Sequence, residues 1–114
     1  MRIIVTGGFG FIGSNFVNLL NEYLPTAEVV IVDSITYAAD PNNIKKPTKL
    51  IKKDICEVTP EDLGDYDYIV HFAAESHVDN SISNGLPFMN TNIIGTYNLV
   101  ECAIQNKHLK KFIH

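Results

Sequence analysis

The spacing of apolar positions along the chain switches repeatedly between two patterns. Arg2 to Thr6, RIIVT, is a short β-branched run without polar alternation, which predicts a strand covered on both faces. Beyond a glycine-rich junction, Phe11, Ile12, Val17, Leu19, Leu20 and Leu24 recur at roughly helical spacing with Asn15, Asn18, Asn21 and Glu22 between them, which predicts an amphipathic helix. Glu28 to Asp33, EVVIVD, returns to the buried-strand pattern. Lys49 to Asp54 and Tyr66 to Phe72 read as two further strands, and between them Thr59 can cap a short helix that has Pro60 at its first position. Met89 to Lys107 predicts one long helix with Ile93, Ile94, Tyr97, Val100 and Ala103 on one side. Gly95 in its middle costs about 1 kcal/mol relative to alanine, so close packing is the expected reason for it. The final KKFIH opens a fifth strand. Strands alternating with helices through right-handed crossovers predict an α/β, doubly wound parallel sheet in the order 3-2-1-4-5, with a ligand crevice at the carboxyl ends of the strands.

The junction itself, VTGGFGFIGSN, places Gly7, Gly8, Gly10 and Gly13 between the first strand and the first helix. Glycine weakens either element from within, so its clustering at a junction points to a tight turn or to something lying against the backbone. In a strand, turn and helix of this kind, the free N–H groups of the first helical turn and the positive end of the helix dipole face the strand end, where a pyrophosphate fits. Gly8, Gly10 and Gly13 spell G-x-G-x-x-G, whereas Gly7, Gly10 and Gly13 spell G-x-x-G-x-x-G. Both serve the same needs of turning, phosphate clearance and helix packing.

A glycine turn alone is weak evidence for a dinucleotide. Asp33 strengthens it, because it ends the second strand twenty residues after Gly13, where a carboxylate would accept bonds from the adenosine ribose. Two unit charges about 4 Å apart near a protein surface interact by about 4 kcal/mol, so the same carboxylate opposes a 2′-phosphate. Ser34, not arginine, follows it, and NAD is expected over NADP. The irregular stretch Ser34 to Thr48 is placed to fold over the adenosine.

A second concentration of chemistry, HFAAESHVDNS, runs from His71 to Ser81 at the end of the fourth strand. Ala73 and Ala74 leave room for a cofactor, and Glu75, Ser76, His77 and Asp79 crowd the next few positions, a composition that suits a crevice floor. The competing reading makes Ser76 or Asp79 a helix cap and leaves Glu75 and His77 solvated. Serine, histidine and acid this close would suit a hydrolase, but the G-x-S-x-G nucleophile elbow is absent.

Composition narrows the choice. With 114 residues, 19% charged, and a net charge of −4, the chain fits one domain with an ordinary polar surface. Its lysine pairs are short and dispersed, so nucleic-acid binding has no support. No apolar run is long enough for a bilayer and no leader precedes the first strand, which makes the cytoplasm the default location. Cys56 and Cys102 lack C-x-x-C spacing and a histidine cluster, so they read as reduced packing cysteines, with no metal site. A chain that stops in a parallel strand without cover on both faces is expected to be part of a longer enzyme.

TGGFGFIG, VDSITYAAD, KKDI, HFAAESHVDNSI and TNIIGTYNLVE occur in the order found in the extended short-chain dehydrogenase/reductase family, and the chain resembles that family's nucleotide-sugar dehydratases from end to end. The resemblance implies a Rossmann-type sheet, here ending after the start of its fifth strand, with residues 1–114 as the NAD-binding domain. It implies that Gly7, Gly10 and Gly13 serve the pyrophosphate together with the backbone of Phe11 and Ile12. Asp33, Ser34, Ile35 and Thr36 would hold the adenosine side, and Asp54 and Ile55 would flank the adenine. Phe72, Ala73, Ala74, Glu75 and Ser76 would line the crevice, Thr91 would approach the nicotinamide ribose, and Ser76 would also meet the sugar nucleotide, dTDP-glucose being the expected one. A homodimer is implied for the full-length enzyme.

In such dehydratases, hydride leaves C4 of the glucose, the resulting ketone acidifies the C5 proton, water departs across C5 and C6, and hydride returns at C6. The resemblance places the proton-transfer groups in a Thr-Asp-Glu set after the fifth strand and a Tyr-x-x-x-Lys motif on the following helix. Neither occurs in these 114 residues, and Tyr37, Tyr66, Tyr68 and Tyr97 lack a lysine four positions on. No catalytic residue is assigned, and the chain alone is expected to be inactive. The alternatives are another nucleotide-sugar enzyme of the same family, such as a 4-epimerase or a decarboxylase, and a non-catalytic NAD-binding module.

Overall fold

A computed structural model describes all residues from Met1 to His114. The order of elements is β1 (Arg2–Thr6), α1 (Phe11–Tyr23), β2 (Glu28–Asp33), β3 (Lys49–Lys52), α2 (Pro60–Leu63), β4 (Tyr68–His71), α3 (Val78–Ser83), α4 (Leu86–Phe88), α5 (Thr96–Gln105) and β5 (Lys111–Ile113). Pro41–Asn43 form a 3₁₀ turn, and Met89–Gly95 form a π-helical segment between α4 and α5. The five strands make one parallel sheet in the order β3-β2-β1-β4-β5. β1 and β2 match the sequence prediction residue for residue, whereas β3 ends two residues early and β4 is trimmed at both ends.

Apolar side chains of the central strands divide between the two faces. Ile3, Val5, Val29 and Ile31 pack on one side with Phe9, Val17 and Val70. Ile4, Val30, Val32 and Ile69 pack on the other with Ile55, Leu63, Leu99 and Cys102. Thr59 begins α2 as expected, and Asp62 reciprocates: the Thr59 Oγ1 accepts from the Asp62 N–H at 3.3 Å while the Thr59 N–H donates to the Asp62 Oδ2 at 2.9 Å. No helix is long and apolar enough to cross a membrane.

Both long helices bury only part of the apolar set expected, Val17 and Leu20 in α1 and Ala103 in α5. In α1 the buried positions are Gly13, Ser14 and Val17, while Phe11 is 82% and Ile12 66% exposed. The cause is Gly13, whose missing side chain lets the helix rest on the Gly7 carbonyl and so fixes which face turns inward. In α5 the buried line is Leu99, Cys102 and Ala103, and the apolar stripe of Ile93, Ile94, Tyr97 and Val100 is exposed. Gly95 decides this orientation as well, since a Cβ there would meet the Ile55 side chain at 2.5 Å. The predicted continuous helix from Met89 is instead a π-helical segment leading into α5.

Candidate functional site

At the carboxyl ends of the strands lies a cavity of about 370 Å³, within the size range of small-molecule sites. Gly7 and Gly10 border it from the turn, and Asp33, Ser34 and Thr36 from the end of β2. Asp54 and Ile55 approach from beyond β3, Phe72 to Glu75 from beyond β4, and Thr91 from the π-helical segment. Four loops widely separated in sequence thus meet at one place, where the strand order reverses beside β1.

The turn is shaped by its glycines. Gly7 has φ +68°, and its N–H donates to the Val32 carbonyl at 2.8 Å, tying the turn to β2. A Cβ on Gly7 would stand 2.7 Å from the Ala73 nitrogen, so the turn and the floor beyond β4 touch through their backbones. Gly8 instead packs on Ile31, which makes Gly7, Gly10 and Gly13 the triplet that shapes the crevice. Gly10 precedes α1 without a side-chain cap, and the N–H groups of Phe11 and Ile12 have no acceptor within the protein. These donors, at the positive end of a 13-residue helix, are equipped for a phosphate. The Phe11 and Ile12 side chains and Gly13 do not line the cavity; any contribution of theirs to a ligand comes through backbone and packing.

Asp33 is 9% exposed and fixed by two backbone donors: the Phe9 N–H reaches its Oδ2 at 3.0 Å and the Ile35 N–H its Oδ1 at 2.8 Å. A carboxylate oxygen accepts more than one bond, so each retains capacity for a ribose hydroxyl. Ile35 pays for this turn with φ +57°, a conformation that costs a β-branched residue about 1–3 kcal/mol. Its side chain packs against the core cluster beneath α1 and does not line the cavity.

The wall beyond β4 depends on side chains that the sequence reading passed over. Asn92 Oδ1 accepts from the Glu75 N–H at 2.8 Å, and Asn92 Nδ2 donates to the Glu75 carbonyl at 2.9 Å. This two-point clamp ties the crevice loop to the π-helical segment; an asparagine at the opening of a helix gave no signal for it. Tyr37 Oη donates to Glu75 Oε2 at 3.2 Å, joining the loop after β2 to the loop after β4. Lys53, Pro87 and Asn90 also border the cavity. Ser76 is exposed and lies outside it. His77 is the residue preceding α3, without a side-chain cap bond, so neither Ser76 nor Asp79 caps that helix.

Neither cysteine is disulfide-bonded. Burial, then the neighbouring Asp54, raises the Cys56 thiol, whose Sγ donates to the Asn90 carbonyl at 3.3 Å. Burial likewise raises Cys102 in the core. Thiols kept protonated in this way are poor nucleophiles.

A parallel five-stranded sheet, a glycine turn with free helix donors and an acid at the end of β2 define a dinucleotide-binding α/β domain. Residues 3–114 match the NAD dependent epimerase/dehydratase family, and the chain belongs to it. It is 42% identical over 108 residues to a dTDP-glucose 4,6-dehydratase of Mycobacterium tuberculosis, an alignment covering 90% of this chain and 33% of that protein. A double mutant of the dTDP-glucose 4,6-dehydratase from Streptomyces venezuelae, solved with NAD bound, superposes with a TM-score of 0.89 at 40% identity, over 100% of this chain and 38% of that one. The UDP-glucose 4-epimerase of Thermotoga maritima, solved with UDP-glucose, gives a TM-score of 0.85 at 32% identity, over 98% of this chain and 36% of that one. The chain thus spans about a third of the length of the curated relatives it matches.

Proposed function

We propose that this chain is the NAD-binding part of a nucleotide-sugar dehydratase that converts dTDP-glucose to its 4-keto-6-deoxy product and water. The observation that carries the reading is that Gly10, directly followed by the unpaired Phe11 and Ile12 N–H groups, borders the same cavity as the anchored Asp33. The residues fit a dinucleotide: a Cβ on Gly10 would meet only the Gly7 carbonyl, at 3.3 Å, so that face of the turn is open to a ligand. NAD, when bound, supplies a hydride acceptor that becomes the donor later in the same turnover.

The chain's own part is binding and orientation. The α1 N-terminus neutralises pyrophosphate charge, Asp33 accepts from the adenosine ribose and repels a 2′-phosphate, and Ala73 and Ala74 let the cofactor lie against backbone. Thr91 borders the nicotinamide side, and Ser76, at the open rim, contacts the sugar nucleotide. Protein from the cytoplasm, assembled as a homodimer, is the expected working form.

Proton transfer requires groups that these residues do not provide. Positioned acids and bases contribute about 10²-fold to 10⁴-fold each, so residues 1–114 alone should give no detectable turnover. The test incubates NAD and dTDP-glucose with residues 1–114 and, separately, with the protein encoded by the complete reading frame. The 4-keto-6-deoxy product should form only with the latter. Turnover by residues 1–114 would assign chemistry to Glu75, His77 or Asp79, and a 4-epimer from the complete protein would replace the dehydratase reading with an epimerase.

A further inference from the structure

His71 is the buried titratable group that the proposed binding mode leaves without a task. It ends β4, opposite Thr6 at the end of β1, and is 5% exposed. Its Nδ1 lies 2.6 Å from Thr6 Oγ1 and its Nε2 lies 2.8 Å from Thr96 Oγ1, the first residue of α5. Thr6 Oγ1 also accepts from the Ala73 N–H at 3.2 Å.

Those contacts decide the proton positions. A hydroxyl has one hydrogen to give and can accept from others. Because Thr6 Oγ1 accepts from Ala73, its own proton is best given to His71 Nδ1. Were Nδ1 protonated instead, Thr6 would take two donors and its hydroxyl proton would have no acceptor among these groups. An accepting Nδ1 places the ring proton on Nε2, from which it is donated to Thr96. Both ring nitrogens are then satisfied only while the imidazole is neutral.

We propose that His71 is a positioning residue, a neutral Nε2–H imidazole whose hydrogen-bond relay from α5 through Thr6 to the Ala73 N–H holds the crevice floor at a fixed distance from the glycine turn. The relay ties together the parts that must agree on the cofactor's place. Ala73 lines the cavity and touches Gly7, and Thr96 directly follows the π-helical segment that carries Asn90 and Thr91. A neutral ring is also what its surroundings favour: burial first, and then His114, with ring centroids 5.0 Å apart, lower its pKa to about 4. Phe112 packs against the same ring at 6.2 Å.

The functional consequence rests on the NAD-binding reading, so the test has separate readouts. In the complete protein, ¹⁵N NMR of labelled histidine near neutral pH should give the Nε2–H signature for His71, with or without cofactor. Thr96→Val removes the acceptor and should erode that tautomer while lowering NAD affinity about threefold. His71→Phe keeps a ring but ends the relay and should lower NAD affinity about tenfold, the worth of one buried hydrogen bond. His71→Asn, which can still offer an acceptor to Thr6, should recover most of the loss. An Nδ1–H signature, or unchanged NAD affinity in both Thr96→Val and His71→Phe, would overturn the relay. Failure of the wild-type protein to bind NAD would overturn the cofactor reading instead, leaving the tautomer to decide the relay's geometry.

Discussion

The two walls of the crevice are built by different means. The wall made by the glycine turn and the end of β2 is backbone: Gly7 bonded to Val32, α1 seated on Gly7, and Asp33 held by two main-chain N–H groups. The wall beyond β4 is joined by side chains, namely the Asn92 amide on Glu75 and the Tyr37 hydroxyl reaching across from the opposite loop. Its residues Phe72 to Glu75 are half-buried or exposed, whereas those of the turn, Gly7 to Gly10, are buried or half-buried. A backbone wall can hold one charged group in one place but tolerates almost no change. A side-chain wall can be adjusted residue by residue.

The strongest way to break this contrast is to add a methyl group to the backbone wall. Gly13→Ala would force its Cβ onto the Gly7 carbonyl, and since neither partner can swing away, a loss of about 3 kcal/mol is expected in chemical denaturation. Gly10→Val should behave differently, because its Cβ meets only the Gly7 carbonyl at 3.3 Å: the fold should survive while NAD binding is lost. If Gly13→Ala were neutral, the turn would be more compliant than its geometry implies.

Acid should act on the boundary between the walls. The folded-state pKa of His71, about 4, lies below the ordinary 6.5, so the folded protein resists protonation that the unfolded chain accepts. The stability that His71 contributes should therefore be full above about pH 6.5 and decline as pH falls towards 4, by about 3 kcal/mol for a shift of this size. Asp62 and Asp67 are lowered below the usual carboxylate value, Asp62 by its bond with Lys53 and Asp67 by the Arg2 N–H and Lys110, so their contributions are lost at still lower pH. Denaturation midpoints from pH 7 to pH 4 should flatten in His71→Asn; an unchanged slope would remove His71 as the source.

The side-chain wall should yield more gently. Asn92→Ala removes two hydrogen bonds from the Glu75 backbone at an exposed position, for an expected loss of about 1 kcal/mol or less in stability. NAD affinity should fall severalfold because the loop is no longer tied to the π-helical segment. A loss as large as that of Gly13→Ala would erase the distinction between the walls.

The contrast also explains what could be read from the sequence. β1, β2, the strand order and the glycine-to-acid spacing were legible because each rests on local chemistry: β-branched runs, backbone freedom and a fixed count from Gly13 to Asp33. The buried faces of α1 and α5 were legible only in part, at Val17, Leu20 and Ala103, because Gly13 and Gly95 help set them by what they touch and contribute no hydrophobicity to a periodic pattern. The Asn92 clamp and the Tyr37 contact join residues 17 and 38 positions apart, and the π-helical segment leaves the usual helical composition unchanged. Such features depend on which loops meet once the sheet has formed.

The central claim is that the backbone wall is a site for NAD, and calorimetric titration of NAD and NADP into the complete protein at one salt concentration tests it most directly. NAD should bind at least about tenfold more tightly, because the fixed Asp33 carboxylate opposes a 2′-phosphate. Asp33→Asn, which keeps an acceptor but removes the charge, should bring the two affinities to within about threefold. Equal affinities in the wild-type protein, or no binding of either dinucleotide, would contradict the account.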